Sequence, residues 1–135
     1  MGLELHLIRY CINTTMKELS HIEKIAVMRI LYDIILADKR IDKREEILFS
    51  KIANELELDG NVKDEVQQAN SLLALTFINE FSQSNKEDFA KVMGQMIIID
   101  EDINYNEVKV YNVVCDFCKI SQTFEMDDYP EYTRS

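Results

Sequence analysis

Apolar residues recur along this chain at three- and four-residue spacing, which lines one face of an α-helix. Val27, Ile30, Leu31, Ile34 and Ile35 form one such row, and Ile25, Met28 and Leu36 widen it. A helix apolar on so many sides is one that is buried on most of them. Ser20-His21-Ile22-Glu23 has capping-box spacing and starts this helix, which ends near Ala37. Asp38 to Ile41 read as a turn, and Asp42-Lys43-Arg44-Glu45 as a second capping box. It opens a helix with Ile47, Leu48, Ile52 and Leu56 on its apolar side. Asp59-Gly60-Asn61 stops that helix, with Gly60 suited to a left-handed cap.

Val62 to Phe81 divide into two shorter helices at Asn70-Ser71. Ser82 to Asn85 read as a loop, with Ser84-Asn85-Lys86-Glu87 as a third capping box. The helix after it carries Phe89, Val92, Met93, Met96 and Ile97 and runs to about Ile99. A turn over Asp100 to Ile103 leads to Asn104-Tyr105-Asn106-Glu107. These cap a last helix bearing Val110, Tyr111, Val114, Cys115 and Cys118. Leu3 to Ile12 fit either a strand or a helix and are read as a helix lying on the body. Residues 122–135 lack periodicity and are read as loose or lying on the surface.

The chain matches itself at an offset of 62 positions. Asp38 falls on Asp100, Ile41 on Ile103, Asp42 on Asn104 and Glu45 on Glu107, and the apolar positions of the flanking helices coincide. The expected fold is all-α. It is a single compact domain, 1–135, of about six to eight helices, built from two helix–acidic turn–helix repeats at roughly 20–59 and 84–121, with a tail at 122–135. Paired units of this kind bury their apolar faces against each other.

Composition supports this picture and narrows the function. A chain of 135 residues, 47% hydrophobic with 3 Gly and 1 Pro, has core material and few turn-forming breakers. The formal net charge of -10 repels phosphate backbones and anionic headgroups, so nucleic acid is not an expected partner. Cations, or a protein with a basic surface, are. No run of about 20 apolar residues is present, so no membrane span is expected. The start lacks a secretory pattern, which makes cytoplasmic the expected location.

The acidic turns are the candidate chemistry. Hard divalent cations want several carboxylate oxygens at short range. Asp38, Glu45, Asp100, Asp102 and Glu107 would supply them to calcium, magnesium or manganese if the turns lie side by side. The second turn, with no base next to it in sequence, is the better expected cation site. The pattern is not an EF-hand, because Tyr105 and Tyr111 replace the Gly and Glu at loop positions six and twelve. A second reading stands beside this one: Asp42 with Glu45, and Asn104 with Glu107, cap helices, and no metal is involved. Lys39, Arg40, Lys43 and Arg44 of the first turn would then neutralise the second.

Cys115 and Cys118 have redox-motif spacing. They sit at a helix end, where the dipole disfavours thiolate, and align with the core positions Ala53 and Leu56, so buried reduced thiols are expected. Neither His6 nor His21 joins a nucleophile–base arrangement, and no catalytic residue or organic cofactor is expected.

The doubled pattern Asp-x-x-Ile-Asp/Asn-x-x-Glu, set each time between an apolar and an amphipathic helix, resembles the TerB family over roughly Ser20 to Ile120. That family is associated with bacterial tellurite resistance and related stress functions and has an all-helical, internally duplicated fold. Its acidic turn residues, viewed as a divalent-metal site, correspond here to Asp38, Glu45, Asp100 and Glu107. Its members usually carry Gly after the first Asp, where this chain has Lys39 and Glu101. The resemblance implies a non-enzymatic, stress-associated module that binds a divalent cation. A metal-free adaptor with an acidic docking surface is the alternative, and a metal-dependent enzyme stands third.

Overall fold

A computed structural model describes residues 14–121, 125 and 128–132. The expected helix over Leu3–Ile12, with His6 and Cys11, lies outside these residues. Seven α-helices follow in order: α1 Thr14–Lys17, α2 His21–Ala37, α3 Lys43–Glu55, α4 Val62–Gln68, α5 Ser71–Asn79, α6 Gln83–Ile98 and α7 Tyr105–Cys118. A short 3-10 turn, Pro130–Tyr132, stands in the tail. The protein is an all-α bundle, and among the described residues no helix is long and apolar enough to cross a membrane.

Helix α2 is the axle of the bundle. Ser20 Oγ accepts from Glu23 N–H at 3.3 Å and Ser20 N–H donates to Glu23 Oε1 at 2.8 Å, completing the capping box. Its apolar row is buried along its length, and α3, α4, α5, α6 and α7 all pack on it. Each fully buried Leu or Ile contributes roughly 1.5–3 kcal/mol. The core therefore gathers around one helix from the first half.

The 62-residue offset recurs in the fold. α2 and α6 begin at His21 and Gln83, and α3 and α7 at Lys43 and Tyr105. The equivalent lysines, Lys24 and Lys86, both bury their stems. Two boundaries differ from the sequence reading. The N-cap of helix α6 is two residues before Ser84, at Ser82, whose Oγ accepts from Asn85 N–H at 3.1 Å, and Ser84 lies within the first turn. Ser82 is the repeat partner of Ser20, so the offset points to the cap that the local motif misplaces.

Helix α3 ends before Asp59-Gly60-Asn61. Glu57 takes a left-handed φ of 63° and Leu58 N–H bonds back to Ala53 O at 2.9 Å. Burial of Leu56 and Leu58 draws the chain inward there. Gly60 has a φ of 67°, but in the connection to α4. The second half closes in the same way: Lys119 has a φ of 58° and Ile120 N–H bonds to Cys115 O at 2.9 Å.

The connecting helices are held by one arginine. Arg29 Nη1 donates to the carbonyls of Val66 and Gln67 at the end of α4, the first of which also accepts from Ala69 N–H. Its Nε donates to Ser71 Oγ at 3.0 Å and its Nη2 to Asp33 Oδ1 at 2.8 Å, while Ser71 Oγ donates to Asp33 Oδ2 at 2.6 Å.

Candidate functional site

The α2–α3 and α6–α7 turns share one design. Asp38 Oδ1 accepts from Arg40 N–H at 3.2 Å, and Asp100 Oδ1 from Asp102 N–H at 3.2 Å. Asp42 Oδ1 accepts from Arg44 N–H at 2.7 Å, and Asn104 Oδ1 from Asn106 N–H at 2.8 Å. Each turn folds over an aspartate and then caps the helix that follows, because these short side chains reach their own backbone two residues on.

The turns lie side by side, and their glutamates meet in the interior. Glu45 and Glu107 are both 0% exposed. Glu45 Oε1 accepts from Asp42 N–H at 3.1 Å, so the first capping box is complete. Glu107 makes no such return to Asn104, contrary to the capping reading. Apart from the facing carboxyl, neither of its oxygens meets an N–H or O–H donor among the described residues, and the same holds for Glu45 Oε2. The two carboxyl groups instead face each other within hydrogen-bonding range, with Asp100 and Asp38 near enough to act on them by charge.

Two negative charges cannot share a buried space cheaply, since each unpaired ion there costs several kcal/mol. Burial first, and then the facing Glu45, push the Glu107 carboxyl far above its usual range. Burial also raises Glu45, and the hydrogen bond from Glu107 pulls it partly back. In this form neutral Glu107 donates to Glu45. Asp100 is pushed up to about 6, by burial and then by the charge of Asp42, against the opposing pull of Arg44.

The expected residues Asp38, Glu45, Asp100 and Glu107 are thus gathered in one place. As they lie, no three His, Cys, Asp or Glu side chains among the described residues form a cation-ligating group. Glu45 and Glu107 are a facing pair of oxygen donors, and Asp38 and Asp100 flank them. Asp102 stands at the rim, 3.9 Å from Arg40 Nη2. Arg44 Nη2 donates to Asp100 O at 3.0 Å. The second turn, baseless in sequence, therefore receives two arginines in space.

Glu101 has a φ of 59°, at the position where the resembled family usually has Gly. The backbone there needs the left-handed region, which a side chain makes costly. Cys115 and Cys118 are free and buried, and burial raises both thiols to about 11. Thiols so raised are poor nucleophiles near neutral pH. His21 is exposed and pairs with Glu65 at 2.8 Å.

The fold has a solved counterpart. The chain is similar to a crystal structure of a protein of unknown function from Porphyromonas gingivalis W83, with a TM-score of 0.65 and 16% identity over 81% of this chain and 91% of that one. At that identity the likeness is one of fold. No family model and no curated protein matches the sequence.

Three features escaped the sequence reading. The Arg29–Asp33–Ser71 clamp joins residues far apart in the chain. The inward turn of Glu107 depends on a side-chain rotamer. The tail segment meets the second turn, where Ile103 N–H donates to Tyr132 O at 2.8 Å.

Proposed function

We propose that this chain is a non-enzymatic, TerB-like module of a bacterial stress system, acting in the cytoplasm, whose paired acidic turns take up one divalent cation. The observation that carries the reading is the pair of fully buried glutamates, Glu45 and Glu107, whose inner oxygens meet no donor but each other among the described residues and which Asp38 and Asp100 flank. Glu45, Glu107, Asp100 and Asp38 would hold the ion, and a hard cation supplies the positive charge that four oxygen donors lack. Calcium, magnesium and manganese suit such donors. Against an enzyme stands the lining of the cleft beside the first turn, which includes Ile41 and Glu46 but none of the four carboxylates.

Thermal melts with each cation test the reading. A ligand at a hundred times its dissociation constant adds about 2.7 kcal/mol, a rise of several degrees in Tm for a domain of this size. At least one of the three cations is expected to give that rise, and Asp100→Asn with Glu107→Gln to abolish it. An unchanged melt in the unmutated chain, or an equal response in the double variant, overturns the cation reading.

A further inference from the structure

The two acidic turns differ in what holds them from outside. In the second half the segment Asp128–Tyr132 comes back to the body. Tyr129 and Tyr132 stack, with ring centroids 5.9 Å apart, and both pack on the core. Tyr132 O accepts from Ile103 N–H at 2.8 Å. Ile103, the last residue of the Asp100–Ile103 turn, is 3% exposed. Among the described residues the first turn has no such strap. Its Ile41, at the repeat position, is 50% exposed, and the Ile41 N–H has no acceptor there.

The tie falls between two carboxylates of the cluster. Asp100 stands three residues before Ile103 and Glu107 four residues after it. The turn is gripped at both ends, by Arg44 at Asp100 O and by Tyr132 at Ile103 N–H. Between the grips Glu101 takes its costly left-handed φ of 59°, so this backbone needs outside support to keep its shape. Asp100, 9% exposed, is held inward only while that shape lasts.

As they lie, the carboxylates do not form a cation-ligating group among the described residues. Taking up an ion requires their side chains to close on it. That costs least against a backbone already fixed in place. Linkage is reciprocal: whatever the strap adds to cation binding, the cation adds to the docking of the strap.

We propose that the Asp128–Tyr132 strap is a positioning element of the cation site and acts on it through Ile103. The docked strap tightens cation binding, and the bound cation tightens the strap. This rests on the cation reading above and adds a means of regulating that site, since lifting the strap loosens the ion.

Isothermal titration of the full chain with calcium, magnesium and manganese, each alone, gives the reference affinities. The full-length double variant Tyr129→Ser with Tyr132→Ser removes the aromatic stack and leaves all four carboxylates in place. It is expected to bind each cation that the unmutated chain binds about tenfold more weakly, a difference of about 1.4 kcal/mol, with the stoichiometry kept. Circular dichroism checks that the helices remain. Amide exchange in the unmutated chain reads the reverse direction and does not depend on the variant folding. The reference amide is Leu58 N–H, which bonds to Ala53 O in the first half and reports any general stabilisation. A saturating cation is expected to slow Ile103 N–H about tenfold more than Leu58 N–H. Equal or tighter binding by the double variant, or equal slowing at Ile103 and Leu58, overturns the coupling and leaves the cation reading standing. A full chain that takes up none of the three cations overturns both.

Discussion

Glu107 and Asp100 hold their carboxyl protons above the usual range, and stability is expected to vary with pH through both. A carboxyl group raised in the folded state binds its proton more tightly there than in the unfolded chain. Its stabilising contribution is therefore complete below the unfolded value and declines as pH rises towards the folded one. For Asp100 that window runs from its ordinary 3.8 to about 6, and for Glu107 it continues upward. Urea-unfolding free energies measured between pH 5 and 8 are expected to fall with rising pH, each raised group adding at most about 1.4 kcal/mol per pH unit. Glu107→Gln keeps a neutral donor facing Glu45 and is expected to flatten that fall while leaving the fold intact. A slope identical in the variant would place the raised group elsewhere. The pattern Asn-x-x-Glu suggested a capping role for this residue. The sequence carries the spacing of such a box but not the rotamer, and burial of the turn against its twin sends the side chain inward. Glu101 is simpler. A left-handed residue with a side chain costs roughly 1–2 kcal/mol, and Gly gives back part of the gain as unfolded-state entropy. Glu101→Gly is expected to stabilise the protein by about 0.5–1 kcal/mol in the same unfolding assay.

Among the elements, α4 and α5 depend most on a side chain from elsewhere. Helix α4 has only seven residues and its Asn61 makes no side-chain cap bond, so local propensity alone does not sustain it. Arg29 supplies what it lacks by taking two carbonyls at its end and anchoring the start of α5. Arg29→Ala would leave Asp33 partly buried beside those carbonyls without a cation. The expected loss is about 2–3 kcal/mol, read as a drop of several degrees in Tm. Amide exchange is expected to quicken first in Val62–Gln68. The helices themselves were legible because their apolar spacing runs long, as with Val27 to Ile35. The end of α3 was not, because Glu57 adopts the left-handed form without being Gly, driven by burial of its neighbours Leu56 and Leu58. The start of α6 was available from the repeat: Ser82 stands where Ser20 stands, while the local Ser-x-x-Glu motif at Ser84 competes with it.

At the scale of the whole molecule, the doubled Asp-x-x-Ile pattern announced that two turns would meet, and Asp38, Glu45, Asp100 and Glu107 do gather. Which of them would lose water, and which would receive an arginine from the other half, depended on packing that no local pattern contains. The clamp at Arg29 and the seat of Tyr132 on Ile103 were hidden for the same reason, since each joins segments far apart in the chain. The central place of α2 has a further consequence, for synthesis. This helix leaves the ribosome before α5, α6 and α7, which cover much of it. A nascent chain that has reached only α3 carries a strongly apolar helix with most of its future neighbours still unmade. Folding must then wait for the C-terminal half, and during that interval the exposed helix is a ready target for chaperones and for aggregation.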